Sequence, residues 1–564
     1  MDEVIKGYFH KGFRTVKSSK EEIVFLLSWT WPVLISNILN QVVYLLVNMI
    51  FVGHLGTNEL AAVALGNTWS FCTSSLILGS LNAMDTFISQ SFGAKQYKFI
   101  GLTVQRAGII SIVLSVFVSI LWFITKPILI LIHQDPHVSA LTQDYILGLL
   151  PGLWFGNALT ILQKYLQGQG IMTPSIVVGV ILNIFNAIFN YIFVHGLTSN
   201  GGLGVVGSSL ATSLSKFISI ILLLLWIKYF RLHKDTWFGF SKESLNVQGL
   251  KEYLRLGIPA GLQLSFEGWG FEILTILSGT FGPTQLDGHS IAMNFTFLTF
   301  MMPLSLSIAL SVRIGQLLGS KNAAQAKRST RIGFAITMSL MVFISLTQFL
   351  TRHVIGMIYT KEKEVQILVS HILPISALFQ FFDGFQTTCQ GIIRGTGKNK
   401  IGAIVNFISF YVVGLPFSCI FAFALHKEVV GLWWGLCIGL CACAIVLGSV
   451  VLRINWDAEV DKAIKRTSSF VELDQLDDEK ASKIEQEEED DFDKFNKEET
   501  PGSLSDAILY SSQQHTIKSN DKESLLHNSQ EEGEEEDQVE IEIDGADYQE
   551  ISLNTSNINR STQD

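Results

Sequence analysis

Two carboxylates, Glu267 and Glu272, stand in the stretch "QLSFEGWGFEIL" (263–274), which is otherwise apolar enough for lipid. A third, Asp383, lies in "FQFFDGFQTTCQGIIRG", with no basic residue nearer along the chain than Arg394. A charge at the centre of a bilayer costs at least about 2.5–3.5 kcal/mol, so each acid must face a partner or a water-filled cavity. Removal from water favours the protonated form of a carboxylic acid, so that it can take up and release a proton near physiological pH. When ionised, the same group can pair with a cation. Competition between a proton and a cation for one carboxylate makes the two exchange, and one pH unit is worth about 1.4 kcal/mol, or roughly tenfold in concentration.

Glu272 follows Glu267 by five residues, a rotation of about 140° and an advance of about 7.5 Å along a helix, so the two acids differ in face and depth. Between them, Trp269 and Phe271 are suited to line a cavity for cationic ligands, and Gly268 and Gly270 allow a neighbouring helix to approach or the helix to bend. Asp85, in "NAMDTFISQSFG", is close in sequence to Lys95 and Lys98, which suggests a structural role at a loop. His289 and His371 lie near the ends of apolar segments, and no pair of histidines has metal-ligand spacing.

The elements that carry these residues are apolar runs long enough to span a bilayer, about 20 residues each. They recur near 23–52, 60–88, 100–125, 140–163, 172–195, 203–229, 251–280, 286–311, 330–350, 364–391, 400–424 and 430–453, predicting a twelve-helix, all-α polytopic membrane protein. The expected organisation is a basic segment 1–22, a six-helix lobe 23–229, a linker 230–250, a second six-helix lobe 251–453 and an acidic tail 454–564. Lys and Arg gather in the N-terminal segment, alternate connectors and the start of the tail, which predicts that both termini are cytoplasmic.

A repeat supports two lobes. A shift of 226 residues lays "GHLGTNEL" (53–60) over "GTFGPTQL" (279–286) and "ISQSFGAK" (88–95) over "IGQLLGSK" (314–321), and a shift of 227 lays "LQGQG" (166–170) over "IRGTG" (393–397). Six helices per copy is an even number, so the halves enter the membrane from the same side and relate by an axis along its normal, a transporter architecture.

The overall formal charge of −10 hides a division: residues 455–564 hold 32 acidic and 10 basic side chains, and the rest of the chain is basic. That tail is rich in Ser, Gln and Asn and cannot bury a core, so disorder is expected after about 457. Within it "DKESLL" (521–526) is similar to an acidic di-leucine sorting signal, with Leu525 and Leu526 as the contacts for an adaptor. The six cysteines all fall in apolar segments and read as small buried hydrophobes. The basic, polar first residues suggest no removable signal peptide, and the sequence shows no nucleotide-binding loop of the GxxxxGK[ST] type and no catalytic histidine cluster, which argues against an ATP-driven pump and against a membrane-embedded enzyme such as an acyltransferase.

Stretches from about 29 to 457, including "FVGHLGTNELAAVAL", "HQDPHVSALTQDYI", "KYLQGQGI", "FEGWGFE", "SVRIGQLLGSKNAAQAKRS" and "GLWWGL", resemble the eukaryotic multidrug and toxin extrusion (MATE) transporters of the MOP superfamily. The resemblance implies two six-helix lobes around a central cavity and proton-coupled efflux of organic cations and drugs. It assigns proton coupling and substrate binding to Glu267, Glu272 and Asp383. The first span carries no acid, which concentrates coupling in the second lobe. Gly268 and Gly270 depart from the EWWAYE pattern usual in animal members, and Met293 and Asn294 stand where those relatives tend to have tyrosine and glutamate, so the cavity lined by Trp269, Phe271, Met293 and Asn294 is expected to be roomier and less charged.

The function expected is a secondary antiporter exchanging organic cations for protons, without a cofactor, in a monomeric chain of the plasma membrane or an endosomal or vacuolar membrane. Its partners are organic cations, protons and the bilayer, with no nucleic acid. Sodium coupling, organic-anion efflux and lipid flipping by the same architecture are the alternatives.

Overall fold

The computed structural model describes residues 18–196 and 202–468. Leu525, Leu526 and most of the acidic tail lie outside the described residues. Twelve long helices are present: α1 (Ser19–Gly53), α2 (Thr57–Gly93), α3 (Tyr97–Phe123), α4 (Pro136–Gly168), α5 (Pro174–His195) and α6 (Gly204–Tyr229) in the first half. The second half holds α7 (Val247–Gly279), α8 (Pro283–Gly319), α9 (Ala323–Tyr359), α10 (Lys363–Thr396), α11 (Asn399–Ala424) and α12 (Glu428–Leu452). All but α7 are apolar enough over their length to cross a membrane. Helix α7 is 33 residues long, which suffices, but Gln263, Glu267, Glu272 and its glycines dilute its apolar content. Because the number of spans is even, the start of α1 and the end of α12 lie at one face, here the terminal face; the opposite one is the far face.

Local sequence explains the boundaries. The Ser18 hydroxyl accepts from the Glu21 amide at 3.2 Å, an N-cap that starts α1 four residues earlier than the hydropathy pattern suggests. Asp135 caps α4 through the His137 and Val138 amides, with Pro136 pre-set in the first turn. Asn246 caps α7 and Asn322 caps α9. At its end, α10 stops on Gly397, whose φ of 78° is left-handed. Large apolar side chains such as Phe117, Ile276, Phe343, Leu350 and Ile445 are exposed around the bundle, a surface that only lipid can cover favourably.

The two halves repeat each other in backbone detail. Lys95 and Lys321, matched by the 226-residue shift, both take φ 62°, a conformation uncommon outside glycine. Gly170 and Gly397, matched by the second shift, take 85° and 78°.

The lobes meet through α1, α2, α3 and the end of α4 of the first and α7 to α10 of the second. Small residues let α2 and α7 touch: a Cβ on Gly79 would lie 2.6 Å from the Gly261 Cα, and the Ser75 and Ser265 hydroxyls are 2.8 Å apart. At the terminal face α2 crosses α8, where a Cβ on Gly93 would meet the Gln316 carbonyl and one on Gly319 the Gln90 carbonyl. Glu22 is fully buried between the lobes rather than part of a free basic segment. Its carboxylate accepts from Arg313 Nε and Nη2, both at 3.0 Å, from Ser329 at 2.6 Å and from Gln325 at 3.3 Å.

Order does not end at 454. Residues 456–468 form a further helix, α13, reaching the last described residue. Ile454, Trp456, Val460 and Ala463 are buried in the second lobe's core, so the apolar spacing continues for three turns into a segment whose acidic composition sets in only after residue 470.

Candidate functional site

Around Glu267, helix α7 buries only small residues. Ala260, Gly261 and Ser265 face α2, and Gly270 faces the Phe410 ring of α11. Glu267 lies between these contacts and is partly exposed although deep in the bundle, so it lines open space. Its carboxylate accepts three side-chain amide hydrogen bonds: from Gln386 at 3.3 Å, from Gln390 at 3.1 Å and from Asn406 at 3.1 Å. No ion pair reaches it among the described residues.

Asp383, Gln386 and Gln390 share one face of α10, spaced three and four residues apart. That face sets Asp383 one turn from Gln386, which bonds the Glu267 carboxylate. Asp383 is 3 % exposed and makes no hydrogen bond or ion pair within the described residues.

The other expected residues scatter. Glu272 is partly exposed further toward the far face, with no hydrogen-bond partner among the described residues. The Trp269 indole donates to the Cys72 carbonyl at 2.9 Å, tying α7 to α2 across the lobes. Phe271 is partly buried, and its ring packs against Phe379 and Phe410, at centroid distances of 6.0 and 5.9 Å. Met293 joins the same apolar cluster, and Asn294 is exposed without a side-chain hydrogen bond among the described residues. His289 is buried against Trp433, its ring nitrogen 3.1 Å from the Thr275 hydroxyl.

Asp85 has different neighbours from those its sequence position suggests. It is fully buried, 2.8 Å from Lys164 of α4 and 4.0 Å from Arg394 of α10, while Lys98 pairs with Glu243 at 3.5 Å. Helix α2 turns its Asp85 side inward toward α4 and α10, away from the connector that carries Lys95 and Lys98. This triad bridges the lobes one turn beyond the Gln390 level, and Arg394 is within electrostatic reach of Glu267 as well.

Gln386, Gln390 and Asn406 were not among the residues singled out from sequence. A signal existed: Asp383, Gln386, Gln390 and Arg394 form a polar stripe at helical spacing within an apolar span.

The family model described as MatE matches this chain twice, over residues 32–192 and 259–420. The chain is 38% identical over 464 residues to multidrug and toxin extrusion protein 1 of Xenopus tropicalis, covering 82% of this chain and 79% of that protein. It is 36% identical over 458 residues to the human protein of the same name, covering 80% and 79%. Among solved structures, the eukaryotic MATE transporter AtDTX14 superposes with a TM-score of 0.75 at 27% identity, covering 80% of this chain and 99% of that one. The Vibrio cholerae MATE transporter VcmN in the bent form, at 20% identity, shares the fold with a TM-score of 0.66 over 80% of this chain and 99% of its own.

Proposed function

The chain belongs to the MatE family of multidrug and toxin extrusion transporters, and from that premise we propose that it is a secondary antiporter expelling organic cations in exchange for protons. The observation that carries this reading is the Glu267 carboxylate, held inside the membrane by three amide donors and in direct ion pair with no cation among the described residues. Amide donors orient a carboxylate without neutralising it, which leaves its charge for a proton or a cationic substrate. Asp383, on the same α10 face as two of those donors, is the partner acid, and Glu272 tunes the approach from the far face.

The terminal face is cytoplasmic in this reading and the far face external. The joining of the lobes at the terminal face by Glu22–Arg313 and by Asp85 with Lys164 and Arg394 supports an outward-facing state in this reading. A proton entering from an acidic exterior displaces the cation from Glu267. Loss of the negative charge frees Arg394 to bias the interlobe triad, and relative tilting of the lobes exposes the site to the other side. One proton exchanged for one monovalent cation moves no net charge.

The test is uptake of radiolabelled tetraethylammonium into proteoliposomes under an imposed pH gradient, with sodium present or replaced by choline-free potassium buffer. Gradient-driven uptake that is lost in Glu267→Gln and indifferent to sodium is the expected result. Undiminished transport by Glu267→Gln, or dependence on sodium rather than on the pH gradient, would sink the assignment.

A further inference from the structure

The repeat is broken at one point of the terminal face. Gln90, fully buried on α2, is held at both ends of its amide: Nε2 donates to the Gly395 carbonyl at 3.0 Å, and Oε1 accepts from Arg466 Nη1 at 2.6 Å. Its counterpart Gln316 donates to the Gly168 carbonyl at 3.1 Å, and its Oε1 has no hydrogen-bond partner among the described residues. The additional bond comes from α13, which lies beyond the second copy of the repeat.

Helix α13 is rooted in the second lobe, where Trp456, Val460 and Ala463 are buried and Glu459 lies 2.9 Å from Lys398. Its last turn reaches the first lobe through Arg466. The guanidinium passes over Gly397, where a Cβ would lie 2.8 Å from both Nη1 and Nη2, so a larger residue at that position would block the path to Gln90. Arg466 thus ties the lobes together beside the Gln90 bond to Gly395. In the same turn, "KRTS" (465–468) sets Lys465 and Arg466 three and two residues before Ser468. Thr467 is buried, its hydroxyl donating to the Ala463 and Ile464 carbonyls at 3.1 and 3.0 Å. Ser468 is exposed, and its contact with the Lys465 carbonyl is a long 3.4 Å. Two basic residues ahead of an exposed serine are what a serine/threonine kinase with an acid-lined peptide groove recognises. Such a groove takes its substrate extended, so the kinase competes with Gln90 for Arg466.

We propose that Ser468 is a phosphorylation site for a kinase of this class, and that the phosphate unlatches α13 from Gln90 and favours opening of the terminal face. This rests on the reading above that places the terminal face in the cytoplasm, where ATP is present. In the transfer, Ser468 Oγ attacks the γ-phosphorus of ATP and the bond from that phosphorus to the bridging oxygen breaks. ADP leaves with the electron pair, and the kinase's aspartate takes the hydroxyl proton. The new group carries a charge of about −1.5 to −2 at pH 7 and offers three acceptor oxygens to Lys465 and Arg466. It also stands at the C-terminal end of α13, where the last carbonyls are already the negative end of the helix dipole. Both effects draw Arg466 off Gln90: one supplies a stronger acceptor, and the other melts the turn that aims the guanidinium.

The test incubates the full-length protein in lipid nanodiscs with ATP and the catalytic subunit of cyclic-AMP-dependent protein kinase. Mass spectrometry locates the phosphate, and spin labels on the terminal-face ends of α3 and α9 report opening. Expected are phosphate on Ser468, absent in Ser468→Ala, and a rise of about fivefold in the open population, the worth of one lost hydrogen bond. In Gln90→Ala, where Arg466 has lost its acceptor, phosphorylation should run several-fold faster and add no further opening. Phosphate on Thr467 or Ser469 instead of Ser468, equal rates in the wild type and Gln90→Ala, or phosphorylation of Ser468 that leaves the spin-label distances unchanged overturns the proposal. None of these readouts uses transport, so failure of proton-coupled export leaves them unaffected. The orientation is checked apart from the kinase: labelling of Ser468→Cys by a membrane-impermeant maleimide on intact cells, above the wild-type level, would place this face outside and overturn the proposal on that ground.

Discussion

Gln90 and Gln316 make the same bond in opposite directions across the molecule. Gln90 Nε2 donates to the Gly395 carbonyl at 3.0 Å, and Gln316 Nε2 donates to the Gly168 carbonyl at 3.1 Å. Donors and acceptors alike are the pairs that the internal repeat superimposes. With Gly93 and Gly319 seated on the reciprocal glutamine carbonyls, the lobes close at the terminal face through two copies of one contact.

Removing either clasp should therefore act in the same direction, with Gln90→Ala the stronger because it also removes the bond that Gln90 Oε1 accepts from Arg466. A buried neutral hydrogen bond is worth about 1 kcal/mol, so Gln90→Ala and Gln316→Ala should each shift the population toward a terminal face that is open by roughly fivefold or more. Spin labels placed on the ends of α3 and α9 would report the distance change. No shift in Gln316→Ala would show that its bond to Gly168 does not hold this face.

Gly93→Val and Gly319→Val test the same face by adding volume. Each new side chain would collide with a backbone carbonyl, which cannot swing away as a side chain can. Both variants should favour the separated arrangement more strongly than loss of a glutamine, and labelling of cysteines introduced at the α2–α8 crossing should accelerate.

The Glu22–Arg313 pair is fully buried, so breaking it from one side leaves an uncompensated charge. Glu22→Ala should destabilise the protein by about 3–5 kcal/mol, seen as a lower Tm in detergent. The double variant Glu22→Leu with Arg313→Met should recover most of that loss. A single variant that melts like the wild type would show that the pair contributes little.

Around Glu267, the amide donors are expected to matter through orientation. Gln390→Ala and Asn406→Ala each remove one hydrogen bond to a charged group, worth about 1.5–3 kcal/mol, and should lower gradient-driven uptake about tenfold or more. Gln263→Ala, one turn away on the same helix and not bonded to the carboxylate, serves as the control.

Helix α13 should be pinned by Glu459. This residue is 3 % exposed and lies 2.9 Å from Lys398 and 3.3 Å from Lys462, while Arg466 donates to Gln90 at 2.6 Å. Glu459→Ala should release the helix, and limited trypsin digestion should then cut at Lys462, Lys465 or Arg466 several-fold faster than in the wild type.

The features readable from sequence were those that a membrane makes conspicuous. Acids such as Glu267 and Asp383 stand out in apolar runs, and the duplicated "ISQSFGAK" and "IGQLLGSK" marked a two-lobe fold before any contact was known. Neutral polar residues were less visible. Gln386 and Gln390 carry no charge to flag them, although their spacing from Asp383 places them on its face. Partners distant in sequence were invisible: Lys95 and Lys98 are near Asp85 along the chain, yet Lys164 is the residue that reaches it. The composition of the tail as a whole also masked the short apolar stripe of α13.

The reciprocal clasps have a kinetic consequence. Two contacts related by an axis along the membrane normal are stretched equally when the lobes tilt about a line through that axis. Neither is a hinge for the other, and neither can hold alone while the lobes part. Separation at this face should then show a single relaxation rate, set by rupture of both bonds together, and weakening either copy should shorten the lifetime of the whole closed arrangement.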